Sequence, residues 1–216
     1  MSKGSMFVSV ACTLLLLSVI VGCGSKPVGQ YPDTTVPSGT STGKPMQNAS
    51  HTQSIRQSQE ERMLSFYKDS SLSDEEKVRY ITDHLAGIQW DTFNKISGKQ
   101  SLEVIEYLYR QRAFIPSESF PNLIQASAGL DGALSESYAA IMGDLFTRDK
   151  TAMTRALAKT DKSTCIHGTG SIGYALSYRE PKEVKKEIRQ WQAGQQLTKA
   201  EKEVIRAILV KLDDPY

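Results

Sequence analysis

Residues 132–147 read GALSESYAAIMGDLFT. Leu134, Tyr138, Ile141, Met142 and Leu145 recur at three- and four-residue steps, so one unbroken apolar stripe runs along a helix. A half-buried strand would alternate every second residue, and this stretch does not. Asp131 stands where a side-chain oxygen can cap the first turn. The same grammar extends in both directions. Toward the N-terminus, Pro121 suits the first turn of a helix over 122–128, and Gly129 suits the position just after it. Ser101 can cap 102–112, with Leu102, Ile105, Leu108 and Tyr109 facing inward, before Phe114-Ile115-Pro116 breaks the chain. Trp90 leads into a short helix over 91–96 closed by Gly98. Ser73 and Glu76 form a capping box ahead of Val78, Ile81 and Leu85, with Gly87 ending that helix. Residues 57–68 place Met63, Phe66 and Tyr67 on one side.

Toward the C-terminus, Asp149 caps 150–159 with Met153 and Leu157 inward. Residues 163–178 carry Cys165, Ile172 and Leu176 on one face, although three glycines weaken the helix. Pro181 opens 182–193, with Val184, Ile188 and Trp191 inward and Gly194 closing it. Thr198 and Glu201 form a second capping box before 199–212, whose apolar positions are Val204, Ile205, Ile208, Leu209 and Leu212. The expected fold is all-α. Short connections favour antiparallel neighbours. Two architectures fit: helical hairpins stacked in the manner of an α-solenoid, loosely similar to HEAT or TPR folds, or an irregular helical bundle. No repeat of about 34–45 residues is present, and the TPR signature residues are missing.

The chain has 216 residues and a formal net charge of +2, so the charge balance does not point to nucleic acid. Its cysteines are Cys12, Cys23 and Cys165. Residues 6–23, MFVSVACTLLLLSVIVGC, form an uncharged apolar run preceded by Lys3. That is the build of a secretory signal. The run is a little short for a transmembrane helix, which takes about 20 apolar residues, and no basic stop-transfer flank follows it.

Its last residues, Ile20-Val21-Gly22-Cys23, resemble the lipobox of bacterial lipoproteins. The resemblance covers residues 1–23 only. It implies that Cys23 is alkylated with diacylglycerol and becomes the first residue after cleavage. An ordinary secretion signal with a chance cysteine is the alternative. The implied organisation is a signal peptide over 1–22, a lipidated Cys23 heading a linker to 58, and a helical domain over 59–216. The linker is rich in Gly, Ser, Thr, Pro and Gln, so it reads as a disordered tether. About 35 flexible residues reach roughly 30 Å. The implied location is the cell membrane, on its extracytoplasmic side. Gly24 does not argue for inner-membrane retention, and the envelope type stays open. With Cys23 acylated and Cys12 removed, Cys165 has no partner for an internal disulfide, and a buried apolar role suits it.

No motif assembles a catalytic set, a cofactor site or a metal site. Gly168, Gly170 and Gly173 spell GxGxxG, but no strand precedes them, as a dinucleotide fold requires. Gly170 and Gly173 are better read as letting a neighbouring backbone approach. His51, His84 and His167 have no metal-ligand spacing, and Cys165 and His167 diverge on a helix. Asn48-Ala49-Ser50 fits a glycosylation sequon by chance. Glu118, Glu136 and Asp144 are carboxylates flanked by apolar residues; they read as a solvated helix face or as the acid pair of a peptidoglycan hydrolase. The basic residues of 182–211 interleave with Glu183, Glu187, Glu201 and Glu203. A salt-bridged surface, or a contact with anionic lipid or wall polymer, accounts for them.

The leading expectation is a lipid-anchored, non-catalytic binding module. Its partners would be the membrane, through the anchor, and an envelope protein or cell-wall polymer. The alternatives are an envelope hydrolase and a structural lipoprotein without a specific ligand. Oligomeric state is not legible in the sequence.

Overall fold

The computed structural model describes residues 57–214 apart from 99 and 131. The signal over 1–22, the lipidation at Cys23, the tether to residue 56, the sequon and His51 lie outside the described residues, as does Asp131. The described residues form ten α-helices and several 3-10 turns, and no strand occurs among them. The helices are α1 (Gln59–Lys68), α2 (Asp74–His84), α3 (Trp90–Ser97), α4 (Ser101–Arg110), α5 (Phe120–Ala126), α6 (Gly132–Arg148), α7 (Lys150–Leu157), α8 (Lys162–Ser177), α9 (Pro181–Ala193) and α10 (Lys199–Asp213). None is long and apolar enough to cross a membrane.

Start signals do what their chemistry demands. Ser73 with Glu76 and Thr198 with Glu201 form reciprocal capping boxes, and Asp149 accepts from the Ala152 N–H. Two further caps were not foreseen: a third capping box, Ser58 with Glu61, and Asp161, which accepts from the N–H groups of Ser163 and Thr164. Ser101 is not a cap. It lies inside α4, buried, with its hydroxyl on Asn94 of α3. Gly98 takes the left-handed conformation that ends α3. Gly129 does not, because a 3-10 turn over Ser127–Gly129 absorbs the end of α5.

The most extensively packed neighbours are alternate helices. The most extensive packing joins α4 to α6, α6 to α8, and α8 to α10, which makes one row. Helices α2, α5 and α7 form a second row, and α5 and α7 press on α8. This is the layout of stacked hairpins, made irregular by unequal helix lengths and 3-10 connectors. One hydrophobic core runs through it, with Tyr138, Phe93, Phe120 and Phe146 its largest fully buried side chains. The stripe read in residues 132–147 is buried throughout, and the Tyr138 hydroxyl donates to the Leu123 carbonyl at 2.6 Å. On α4, Val104 is buried where Tyr109 was expected; Tyr109 is 37% exposed.

Helix α1 fixes the turn between α2 and α3 with two adjacent side chains. Gln59 Nε2 donates to the His84 carbonyl at 2.7 Å, and Glu60 Oε1 accepts from the Gln89 N–H at 3.0 Å. Gln89 has no side-chain cap of its own, so Glu60 completes the α3 N-terminus from another helix. Burial pushes the Glu60 carboxyl up, but hydrogen bonds from Gln89, its own N–H and Ser58 outweigh burial and hold it below its ordinary value. A depressed carboxyl stabilises the fold above its unfolded value, near pH 4.3 for Glu, and that stability fades as pH falls through the folded value. Thermal melts should therefore show acid destabilisation below about pH 4.3 that is weaker in Glu60→Gln. An unchanged slope in the variant would exclude this role.

Candidate ligand groove

Three adjoining clefts follow the exposed edge of the α4–α6–α8 row. The first, of about 380 Å³, is lined by Ser135, Glu136, Ile166, His167 and Tyr174 among others. The second, of about 450 Å³, shares Glu136 and Tyr174 with it and adds Tyr109, Asp144, Tyr178 and Arg179. The third, of about 430 Å³, shares Asp144 and Thr147 with the second and adds Arg110, Arg112 and Arg148. Together they form one groove along α6.

Small residues set the seams beside it. A Cβ on Gly143 of α6 would stand 2.6 Å from the Ala175 Cβ of α8, so these helices meet closely below the groove. On the far side of α8, a Cβ on Gly173 would stand 2.4 Å from the Lys211 Cβ of α10. Gly168 packs under Leu157 and Ile124. The GxGxxG residues thus lie inside a helix, where no strand–turn–helix phosphate cradle exists. Gly173 does admit a neighbouring backbone. Gly170 does not: a Cβ there meets nothing within 4 Å, and the residue lines the first cleft.

The polar groups are held in place. Arg112 Nε donates to Asp144 Oδ2 at 2.5 Å, and its Nη1 donates to the Tyr109 carbonyl at 2.7 Å. Its guanidinium carbon lies 4.3 Å from the Tyr109 ring centre, a cation–π contact. Arg148 donates to the carbonyls of Arg112 and Ile115, at 2.9 and 2.5 Å. Tyr174 and Tyr178, one helical turn apart, share a hydroxyl–hydroxyl bond of 2.6 Å with their rings edge to face.

Of the carboxylates singled out in the sequence, Glu136 and Asp144 line the groove, and Glu118 sits exposed in the 3-10 turn Ser117–Ser119. Glu136 and Asp144 belong to the same helix, about 12 Å apart along its axis at 1.5 Å per residue. Asp144 is engaged by Arg112. They do not face each other across a substrate at the roughly 5–10 Å that paired glycosidase carboxylates need. Cys165 is half-buried against the core, and burial, then Asp161, pushes its thiol up, away from the reactive thiolate. His167 lies exposed on the groove wall. Among the described residues no three His, Cys, Asp or Glu groups could share a metal ion.

Of the arginines and tyrosines of the groove, the sequence singled out Tyr109 alone, and as a core position. The usable signals were the pair Arg110 and Arg112 and the i,i+4 pair Tyr174 and Tyr178. No known protein family, curated protein or solved structure matches this chain.

Proposed function

We propose that this protein is a bacterial lipoprotein, held by an acylated Cys23 on the extracytoplasmic face of a membrane, whose helical body is a non-catalytic binding module. The groove along α6 is its binding face. The observation that carries this reading is the groove's composition: tyrosine faces and fixed guanidinium groups, with no facing carboxylate pair. Exposed large apolar side chains gather there as well. Tyr109, Ile166 and Tyr178 all line it, at 37%, 55% and 74% exposure. Exposed apolar surface of this kind marks interaction sites. The ligand is an envelope protein or a wall polymer, presented to a body on a long tether.

Photo-crosslinking in cells tests the site. A photoreactive residue placed at Ile166 or Tyr178 should give a discrete adduct. The same residue at Val210, which is 58% exposed on α10 away from the groove, should not. Equal labelling at all three positions, or none at the groove, would remove the groove as the binding face.

A further inference from the structure

We infer that the groove takes an acidic glycan, a chain of sugar rings bearing carboxylates, with its acid group at the Arg110–Arg112–Arg148 end and its rings on the tyrosines. This rests on the proposed role of the groove and names its ligand class. The third cleft sets three guanidinium groups against one carboxylate, Asp144. Arg148 is held by carbonyl oxygens and, among the described residues, pairs with no acid, so its direction is fixed without an ion pair. Among the described residues the acid that pairs with Arg110 is Glu106, at 4.0 Å on the exposed face of its own helix. The N–H groups these arginines leave over suit charge-assisted capture of a carboxylate, with Arg112 and Arg148 already oriented.

The adjoining cleft supplies a different chemistry. Tyr178 presents a largely exposed ring, Tyr109 is partly exposed with Arg112 on one face, and Thr147 and Tyr174 line the same cleft with hydroxyl groups. An aromatic body with a polar tip suits a ligand that is apolar on its ring faces and hydroxylated at its edges. An amphipathic peptide helix would instead need a continuous apolar trough for side chains every three or four residues. Leu176 and Leu145 line the second and third clefts but are buried, so the large aliphatic side chains with exposed surface lie at the far end, Leu130 and Ile166.

Titration calorimetry of the full chain in nonionic detergent tests this with three probes: hexagalacturonate, its uncharged methyl ester, and hexaglutamate. The acid sugar should bind, more weakly as salt rises. Arg110→Glu and Arg112→Gln should each weaken it about tenfold or more, the loss typical of a charge-assisted contact. Tyr178→Ala should weaken acid and ester alike. Arg110 lies on the exposed helix face, so its variant keeps the test valid if Arg112→Gln fails to fold. Equal binding of ester and acid would overturn the inference. So would hexaglutamate binding as tightly as the sugar, or no uptake of the sugar. If the sugar fails while Ile166 and Tyr178 still crosslink in cells, the glycan assignment alone falls. If both fail, the groove falls with it.

Discussion

Gly173→Ala is expected to lower stability by about 1–2 kcal/mol, whereas Gly170→Ala, three residues earlier on the same helix, raises it by up to about 1 kcal/mol. Elsewhere in a helix, replacing glycine by alanine stabilises, because the unfolded chain loses freedom and nothing is displaced. Gly170 meets that condition, since a Cβ there finds open space. Gly173 does not. Its Cβ would sit 2.4 Å from the Lys211 Cβ, 3.0 Å from the Lys211 carbonyl carbon and 3.3 Å from the Leu212 nitrogen. Two of those atoms are backbone, so no rotamer change relieves the overlap and α10 must move off α8. That seam is among the most extensive in the fold. Overpacking of this kind costs roughly 1–3 kcal/mol, and the alanine gain offsets only part of it. In thermal melts the two variants should diverge, Gly173→Ala falling by about 2–8 °C and Gly170→Ala rising by a few degrees. A rise in both would show that the α8–α10 contact is looser than described, and a fall in both that Gly170 does not face open space.

The same pair marks where sequence reading succeeds. Helix existence was legible because caps and breakers act locally: Ser73 with Glu76, Thr198 with Glu201, Asp149, Pro181 and Gly98 each serve the role their chemistry suggests. Inward faces followed from spacing where a stripe was continuous, as on α6. They failed where two faces were both apolar. On α4, Tyr109 and Val104 compete for burial, and spacing alone cannot say that Tyr109 ends up beneath an arginine at the groove edge. Ser101 looked like a cap because a helix follows it, yet Asn94 draws its hydroxyl sideways. A tertiary partner overrode a local preference.

Much less of the groove was legible. Glu136 and Asp144 drew notice for their apolar surroundings, but Arg112, which engages Asp144, comes from the 3-10 turn just after α4, and the other groove walls come from α4 and α8. These are brought beside α6 by alternate-helix packing. Arg112 and Asp144 lie 32 positions apart in the chain, and no local period links them. The glycines that permit this approach were visible as a motif, but which of them carries the contact depends on which face meets α10. Gly168 and Gly170 differ by two residues, about 200° around the helix at 3.6 residues per turn, so one is buried under Leu157 and the other opens into the cleft.

Cys23→Ser is expected to abolish acylation. Grown with an alkynyl fatty acid, cells should mark the wild-type chain and Cys165→Ser, and leave Cys23→Ser unmarked. The difference between the positions is chemical. A lipid is transferred to a thiol because the thiolate is a strong nucleophile at accessible pH, which a serine hydroxyl is not. Cys165 sits half-buried against the helical core with its thiol pushed up, so it offers less access and less thiolate. The energetic consequence is large. Each buried methylene contributes about 0.8 kcal/mol, a single acyl chain binds only reversibly, and a second makes attachment effectively permanent. No described helix can substitute for that anchor by crossing the bilayer. A wild-type chain without label would sink the lipoprotein reading, and a label that survives Cys23→Ser would move the anchor elsewhere. Either result leaves the groove and its arginines to be judged by the binding experiments.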